Sequence, residues 1–376
     1  MLRPLLLITG LENVASALIQ ISLYFYTSER LGFSETDNLL LALLHGSAYI
    51  AGALLSHPVT QRVRERNALL AILLIQIALI GSLALFPHKP AVFALSTAAL
   101  FVFGLKWPII ESFVTAGRTP KQAARSVGAF NLVWSSGVAL AAAASGLLIQ
   151  LGPAVLFITS LSATAISFAL AAVILPRQVS HLPDDHPERP DPQAADRLKA
   201  LLTSARWSLV SSYLFLQILF PVLPGILEDL GLSVAAATAL ASVMLWVRVA
   251  TFAVLERRTG WHGRPTLLAI AAVLLPLGAI ITLTVPDLTA VLLGQLVFGI
   301  AMGISYYAAL YYAMVIKNAA VDASGAHEAV IGTGYLAGPL VGLAAASFTT
   351  ALTLGAAALP LTALALRPLL AHKPNT

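Results

Sequence analysis

Glu12, Asn13 and Gln20 interrupt the first long apolar run of this sequence, Lys106, Trp107 and Glu111 the fourth, Asn131 the fifth and Arg248 the eighth. His327 and Glu328 stand at the mouth of the eleventh run. The chemistry open to these side chains is narrow. Carboxyl groups take up and release protons, lysine and arginine anchor anions, and amides hydrogen-bond polar solutes. An ionisable group inside a membrane helix costs about 2.5–3.5 kcal/mol on insertion scales and usually faces the protein interior or a wet cavity. Each is therefore a candidate for binding a solute or a proton, and each has a plainer reading beside it.

Glu12 and Lys106 either bind substrate or protons or form a structural ion pair. Glu111 lies four residues from the expected helix end and is either functional or interfacial. Asn131 and Glu328 are either gate contacts or capping and solvated interfacial groups. Arg248, roughly 10 Å inside by helix rise from Leu255, either holds an anionic group of a substrate or pairs with a carboxylate such as Glu328. His45 and Tyr49, one turn apart in the second run, suit helix–helix hydrogen bonding better than a proton relay. Tyr306, Tyr307, Tyr311 and Tyr312 either stack on a solute or form an interfacial aromatic belt. Pro108 removes the hydrogen bond to the Gly104 carbonyl and should kink the fourth run beside Lys106.

The elements that must hold these residues follow from composition. Of 376 residues 58% are hydrophobic and 10% charged, with a mean hydropathy of +0.86. Soluble domains are about 45–50% apolar and about 25% charged, so a water-soluble enzyme and a disordered chain are both excluded. A span needs roughly 20 apolar residues. That ruler gives twelve, at 4–27, 38–56, 68–87, 91–115, 127–150, 153–175, 207–227, 234–255, 266–285, 288–314, 327–349 and 352–371. Their near-continuous apolarity suits helices, since barrel strands alternate. The first run is too long for a secretory signal and carries Glu12 and Asn13, so it reads as a retained helix. The absence of cysteine excludes disulfides, thiolate nucleophiles and Cys-ligated metals.

Charge gives the orientation. With both termini cytoplasmic, eighteen of the 22 Lys and Arg residues fall in inside segments, two (Arg30 and Lys89) fall in outside loops, and Lys106 and Arg248 lie within spans. This bias orients the protein with both ends inside and accounts for the net charge of +5 without nucleic acid; a multi-pass protein of the plasma (inner) membrane is expected. Residues 176–206 form a proline- and acid-rich linker ending in a basic stretch, Arg197 to Arg206, suited to the membrane surface. It divides the chain into 1–175 and 207–376. His181 and His186 flank two aspartates there, but the prolines around them leave no fixed metal geometry.

The halves repeat. Leu31-Gly32-Phe33-Ser34 recurs as Leu230-Gly231-Leu232-Ser233, and Arg66-x-x-Leu69-Leu70-Ala71-Ile72 as Arg264-x-x-Leu267-Leu268-Ala269-Ile270. Val102-Phe103-Gly104 recurs as Val297-Phe298-Gly299, and Gly128-Ala129 with Gly137 as Gly325-Ala326 with Gly334, all at offsets of 195–199. Parallel six-helix repeats with a site between them are the architecture of an alternating-access transporter.

With six plus six spans, a duplication, a central loop and basic 2–3 and 8–9 loops, the chain resembles the major facilitator superfamily. The family's 2–3 loop motif, Gly-x-Leu-Ala-Asp-Arg-x-Gly-Arg-Arg, aligns with His57-Pro58-Val59-Thr60-Gln61-Arg62-Val63-Arg64-Glu65-Arg66. Arg62 and Arg66 match, which makes Arg62 a candidate gate residue, while the glycines and the aspartate are absent. Gly334-x-x-x-Gly338-Pro339-x-x-Gly342 is similar to the family's antiporter motif but lies in span 11 instead of span 5. The resemblance implies an all-α integral membrane fold of two pseudo-symmetric six-helix bundles, with spans 1, 4, 7 and 10 lining a cavity and spans 2, 5, 8 and 11 forming the interface. Glu12 lies roughly 12 Å and Lys106 roughly 13–14 Å deep by helix rise, on two cavity-lining spans, so direct or one-water contact between their charged ends is expected.

The expected function is secondary transport of a small organic solute by alternating access, coupled to protons through buried carboxylates. No Gly-x-x-x-x-Gly-Lys-Ser/Thr loop is present for ATP-driven pumping. The alternatives are a receptor or assembly factor on a transporter scaffold, or a lipid-linked transferase, for which the short, bare outer loops offer little. The expected partners are the solute, protons and lipids, with the chain a monomer and no cofactor.

Overall fold

The computed structural model describes residues 2–177, 192–316, 321–347 and 350–370. His181, His186 and the linker acids Asp184, Asp185, Glu188 and Asp191 lie outside the described residues. Among the described residues, twelve helices are long and apolar enough to span a membrane: Leu2–Leu31, Glu35–Val63, Glu65–Leu85, Lys89–Thr115, Arg125–Leu151, Val155–Ile174, Leu198–Asp229, Val234–Arg257, Thr266–Thr284, Leu288–Ala313, Ser324–Ser347 and Thr350–Leu370, here spans 1 to 12. They match the twelve apolar runs one for one. Span 7 differs most, because its helix begins at Pro192 and continues to Asp229. The basic stretch Arg197 to Arg206 is therefore its first turns and no separate surface segment. Proline favours a helix start, and no Pro or Gly interrupts the chain from 193 to 220.

Two of the matched sequence motifs do the same structural work in each half. Gly32 and Gly231 both end the first helix of their half in the left-handed region, at φ 61° and 76°, where a side chain would be strained. Ser34 and Ser233, two residues on, cap the next helix by accepting from the Asp37 and Ala236 N–H groups. Gly104 and Gly299 let span 4 approach the Tyr49 carbonyl of span 2 and span 10 approach the Met244 carbonyl of span 8. The contacted residues share the offset of the glycines, so the helix crossings repeat along with the sequence.

The two bundles meet along two seams. Spans 2 and 11 pack from Leu39 against Gly342 to Ala53 against Gly325, a stretch of about 21 Å at 1.5 Å per residue. Spans 5 and 8 meet at Gly146 and Thr238, where the Gly146 N–H donates to Oγ1 at 3.0 Å, and at Ser135 and Arg248 in mid-helix. Small residues allow this approach. Span 1 carries a widened turn in which the Ser22 N–H reaches the Ala17 carbonyl at 3.0 Å, next to Gln20. Pro108 is absorbed without a break in the helix Thr97–Thr115, and the Ser56 hydroxyl donates to the neighbouring Leu105 carbonyl at 2.8 Å.

Candidate binding cavity between the two bundles

Between the seams lies a cavity lined by eighteen residues, eleven from the first bundle and seven from the second. Asn13, Gln20, Trp107, Glu111, Arg248 and Glu328, singled out from sequence, all line it. Glu12 and Lys106 do not. They lie fully buried behind its wall, inside the first bundle.

There the Lys106 Nζ donates to Glu12 Oε2 at 2.6 Å, to Ser16 Oγ at 2.9 Å and to Gln76 Oε1 at 3.0 Å. These three bonds use all the protons of the ammonium group. Gln76 Nε2 donates in turn to Glu12 Oε2 at 3.0 Å and to Thr164 Oγ1 at 2.7 Å. The ammonium also sits 4.6 Å from the ring centroids of Phe103 and Trp107. Spans 1, 3, 4 and 6 are thus tied by one polar cluster, and Ser16 alone of its members reaches the cavity. The expected contact between Glu12 and Lys106 is present. The expected exposure of the pair to the cavity is not, because the fixed depth of two residues says nothing of which way their helices turn them.

The carboxyls that face the cavity are Glu111 of span 4 and Glu328 of span 11, 6% and 4% exposed. Neither is interfacial. Their side chains meet across the two bundles, close enough for each to influence the other electrostatically. The Tyr49 hydroxyl donates to Glu328 Oε2, and Ser324 neighbours Glu111. Two carboxyl groups brought this close in a buried wall oppose each other when both are ionised.

Arg248 does not pair with Glu328 or with any other carboxylate among the described residues. Its Nε donates to Ser135 Oγ at 2.9 Å across the seam, Nη1 lies 3.9 Å from Met302 Sδ, and Nη2 has no partner. Its guanidinium carbon stands 4.4 Å from the Trp134 ring centroid. Asn131, fully buried and repeat-equivalent to Glu328, accepts from Trp134 Nε1 at 2.9 Å and so orients the ring beneath the guanidinium. It is neither a helix cap nor a solvated group.

The remaining candidates separate. His327 is buried with its ring edge-on to Tyr306, centroids 5.6 Å apart, and does not line the cavity. Arg62 is exposed near the end of span 2, away from the cavity. His45 bridges Tyr24 of span 1, at 3.4 Å, and Ser96 of span 4, at 2.7 Å, as a helix–helix contact. The four tyrosines of span 10 divide. Tyr306 faces the cavity, while Tyr307, Tyr311 and Tyr312 pack against Trp261 of the 8–9 loop. His262 stacks on Tyr311 at 4.2 Å, and burial holds its imidazole below the usual histidine value. These three rings are a loop clamp and not a lipid belt. Sequence reasoning missed Gln76, Ser135, Tyr213 and Tyr335. Gln76 was visible as a lone amide in an apolar run. The tyrosines carried no such signal.

The sequence model of the Major Facilitator Superfamily matches residues 5–342. The chain belongs to this superfamily. Among solved structures, the nucleoside transporter NupG in its D323A mutant form superposes with a TM-score of 0.69 at 13% identity, covering 98% of each chain. The human organic anion transporter MFSD10 (TETRAN) superposes with a TM-score of 0.67 at 14% identity, covering 99% of this chain and 98% of that one. At such identity the likeness is one of fold, and the two neighbours carry different solutes by name. No curated protein matches the sequence. Membership makes the chain a multi-pass membrane protein of a transporter superfamily, built as two six-helix bundles around this cavity.

Proposed function

We propose that the chain is a secondary active transporter that moves a small organic solute by alternating access and couples that movement to protons through Glu111 and Glu328. One observation carries the reading. The two carboxyls belong to different bundles, yet both are buried in one cavity wall and each influences the other. Ionising both would leave two like charges in that wall, which opposes closure of the bundles there. Proton occupancy and bundle position are therefore linked at one site. Glu12 and Lys106 serve this cycle indirectly, holding spans 1, 3, 4 and 6 as one body. The lysine and arginine bias supports cytoplasmic termini, and we assign the protein to the plasma (inner) membrane. We take the protein to act as a monomer and to perform no covalent chemistry.

The test uses proteoliposomes with a pH indicator inside, challenged with a metabolite library. The expected result is solute-dependent proton movement for some member, absent from empty vesicles, and solute accumulation that follows an imposed pH gradient. Solutes that raise thermal stability without accumulation or proton flux would instead support the receptor reading. Chemical conversion of a solute or lipid would support the enzyme reading.

A further inference from the structure

We infer that the solute is a flat organic anion, an aromatic monocarboxylate in class, bound by the guanidinium of Arg248 and stacked among the cavity's rings. The inference rests on the transport reading for what happens after binding, but its argument and its test concern binding alone.

Arg248 is 2% exposed and belongs to the wall of the cavity. Burying a guanidinium with no carboxylate partner is expensive, and the cation cannot escape by losing its proton. Within the protein it receives one hydroxyl, a thioether sulfur and the face of Trp134. Nη2, a donor nitrogen, is left with no acceptor among the described residues. Nor do the cavity's own carboxyls satisfy it. Glu328 is occupied by Tyr49 and Glu111, and no ion pair joins it to the arginine. The site thus presents a desolvated cation, fixed from one side by Ser135 and from its flat face by an indole that Asn131 holds in place. A guanidinium so held is pre-organised for a carboxylate, which accepts from it in plane.

The body of the ligand follows from the rest of the wall. Tyr306 lies 4.7 Å from Trp134 and 6.4 Å from Tyr213, which lies 5.3 Å from Tyr335, centroid to centroid. Trp107 joins the same cavity from span 4. The rings form a continuous wall beside the cation, and flat rings pack against a flat apolar solute better than against a branched or polyhydroxylated one. Asn13 and Gln20 add amide groups on the opposite bundle.

The experiment uses the purified full-length chain in nanodiscs and reads quenching of intrinsic tryptophan fluorescence together with the shift in melting temperature. The probes are three matched pairs: benzoate with benzamide, phenylacetate with phenylacetamide, and indole-3-acetate with indole-3-acetamide, with acetate as the anion lacking a ring. At least one aromatic carboxylate should bind at least tenfold tighter than its own amide and than acetate. Arg248→Gln should abolish that preference, and Arg248→Lys should retain part of it. Failure of every carboxylate to bind, equal binding of acid and amide, or an unchanged preference in a folded Arg248→Gln protein would overturn the inference. The acid–amide comparison is made on the unsubstituted protein, so a variant that fails to fold does not remove the test. Binding without any transport in proteoliposomes would leave this inference standing and sink the transport reading instead.

Discussion

The Lys106 ammonium of span 4 donates to the Glu12 carboxylate of span 1 at 2.6 Å, with neither side chain exposed. The contact sits within one bundle and is completed by Gln76 of span 3 and Ser16 of span 1. A cation and an anion buried together this deeply are far safer as a pair than either is alone, because an unpartnered charge has no water to relieve it.

Neutralising one partner should therefore destabilise the protein more than neutralising both. Glu12→Gln or Lys106→Met alone should cost about 3–5 kcal/mol, the usual penalty for stranding one buried charge. The double variant should recover part of this loss. Thermal or chemical denaturation of the four proteins in detergent closes the cycle, and simple additivity would mean the two charges do not act as a unit.

The carboxyls facing the cavity should behave differently. Glu111→Gln or Glu328→Gln keeps the shape and a hydrogen bond but removes the titratable proton. Each should lower pH-gradient-driven accumulation by about tenfold or more while solute exchange across proteoliposomes persists. Tyr49→Phe, which removes a donor to Glu328 and leaves both carboxyls, should have a smaller effect. Normal accumulation in both Gln variants would take the pair out of the coupling step.

The seam between spans 2 and 11 should be sensitive to the size of Gly46. A Cβ there would run into the Tyr335 backbone carbonyl, which cannot rotate aside. Gly46→Val should push the bundles apart at this seam, disfavour the closed cavity and lower the transport rate severalfold, with Gly46→Ala intermediate. The chain contains no cysteine, so a thiol introduced at Ile50, beside Gly332 on the same seam, reports the opening. It should be labelled faster in the Gly46→Val background. Unchanged labelling and rate would show that the seam does not constrain the cycle.

Orientation is open to a direct check. In intact cells a tag at Lys89 should be reachable from outside, and tags at Asp185 and Thr376 should not. External labelling of Asp185 would break the assignment of sides that the lysine and arginine distribution supports.

The twelve spans, the duplication and the polar residues worth attention were legible in the sequence because the bilayer imposes them locally. Apolar length alone defines a span, and a buried charge stands out against it in one dimension. Even the Glu12–Lys106 contact was within reach, since helix rise converts residue number into depth. Which way each helix turns its residues was not. Rotation about the helix axis is set by side-chain packing against neighbours far away in sequence, such as Gly104 against Tyr49 and Gly299 against Met244. That packing hid Glu12 and Lys106 inside one bundle and brought Glu111 to Glu328 from the other. It also gave Arg248 a serine and an indole, so that of its two expected partners the protein carboxylate is not the one it has. The charges were written in the sequence, and the tertiary structure alone decided which of them found partners and which was left facing the cavity.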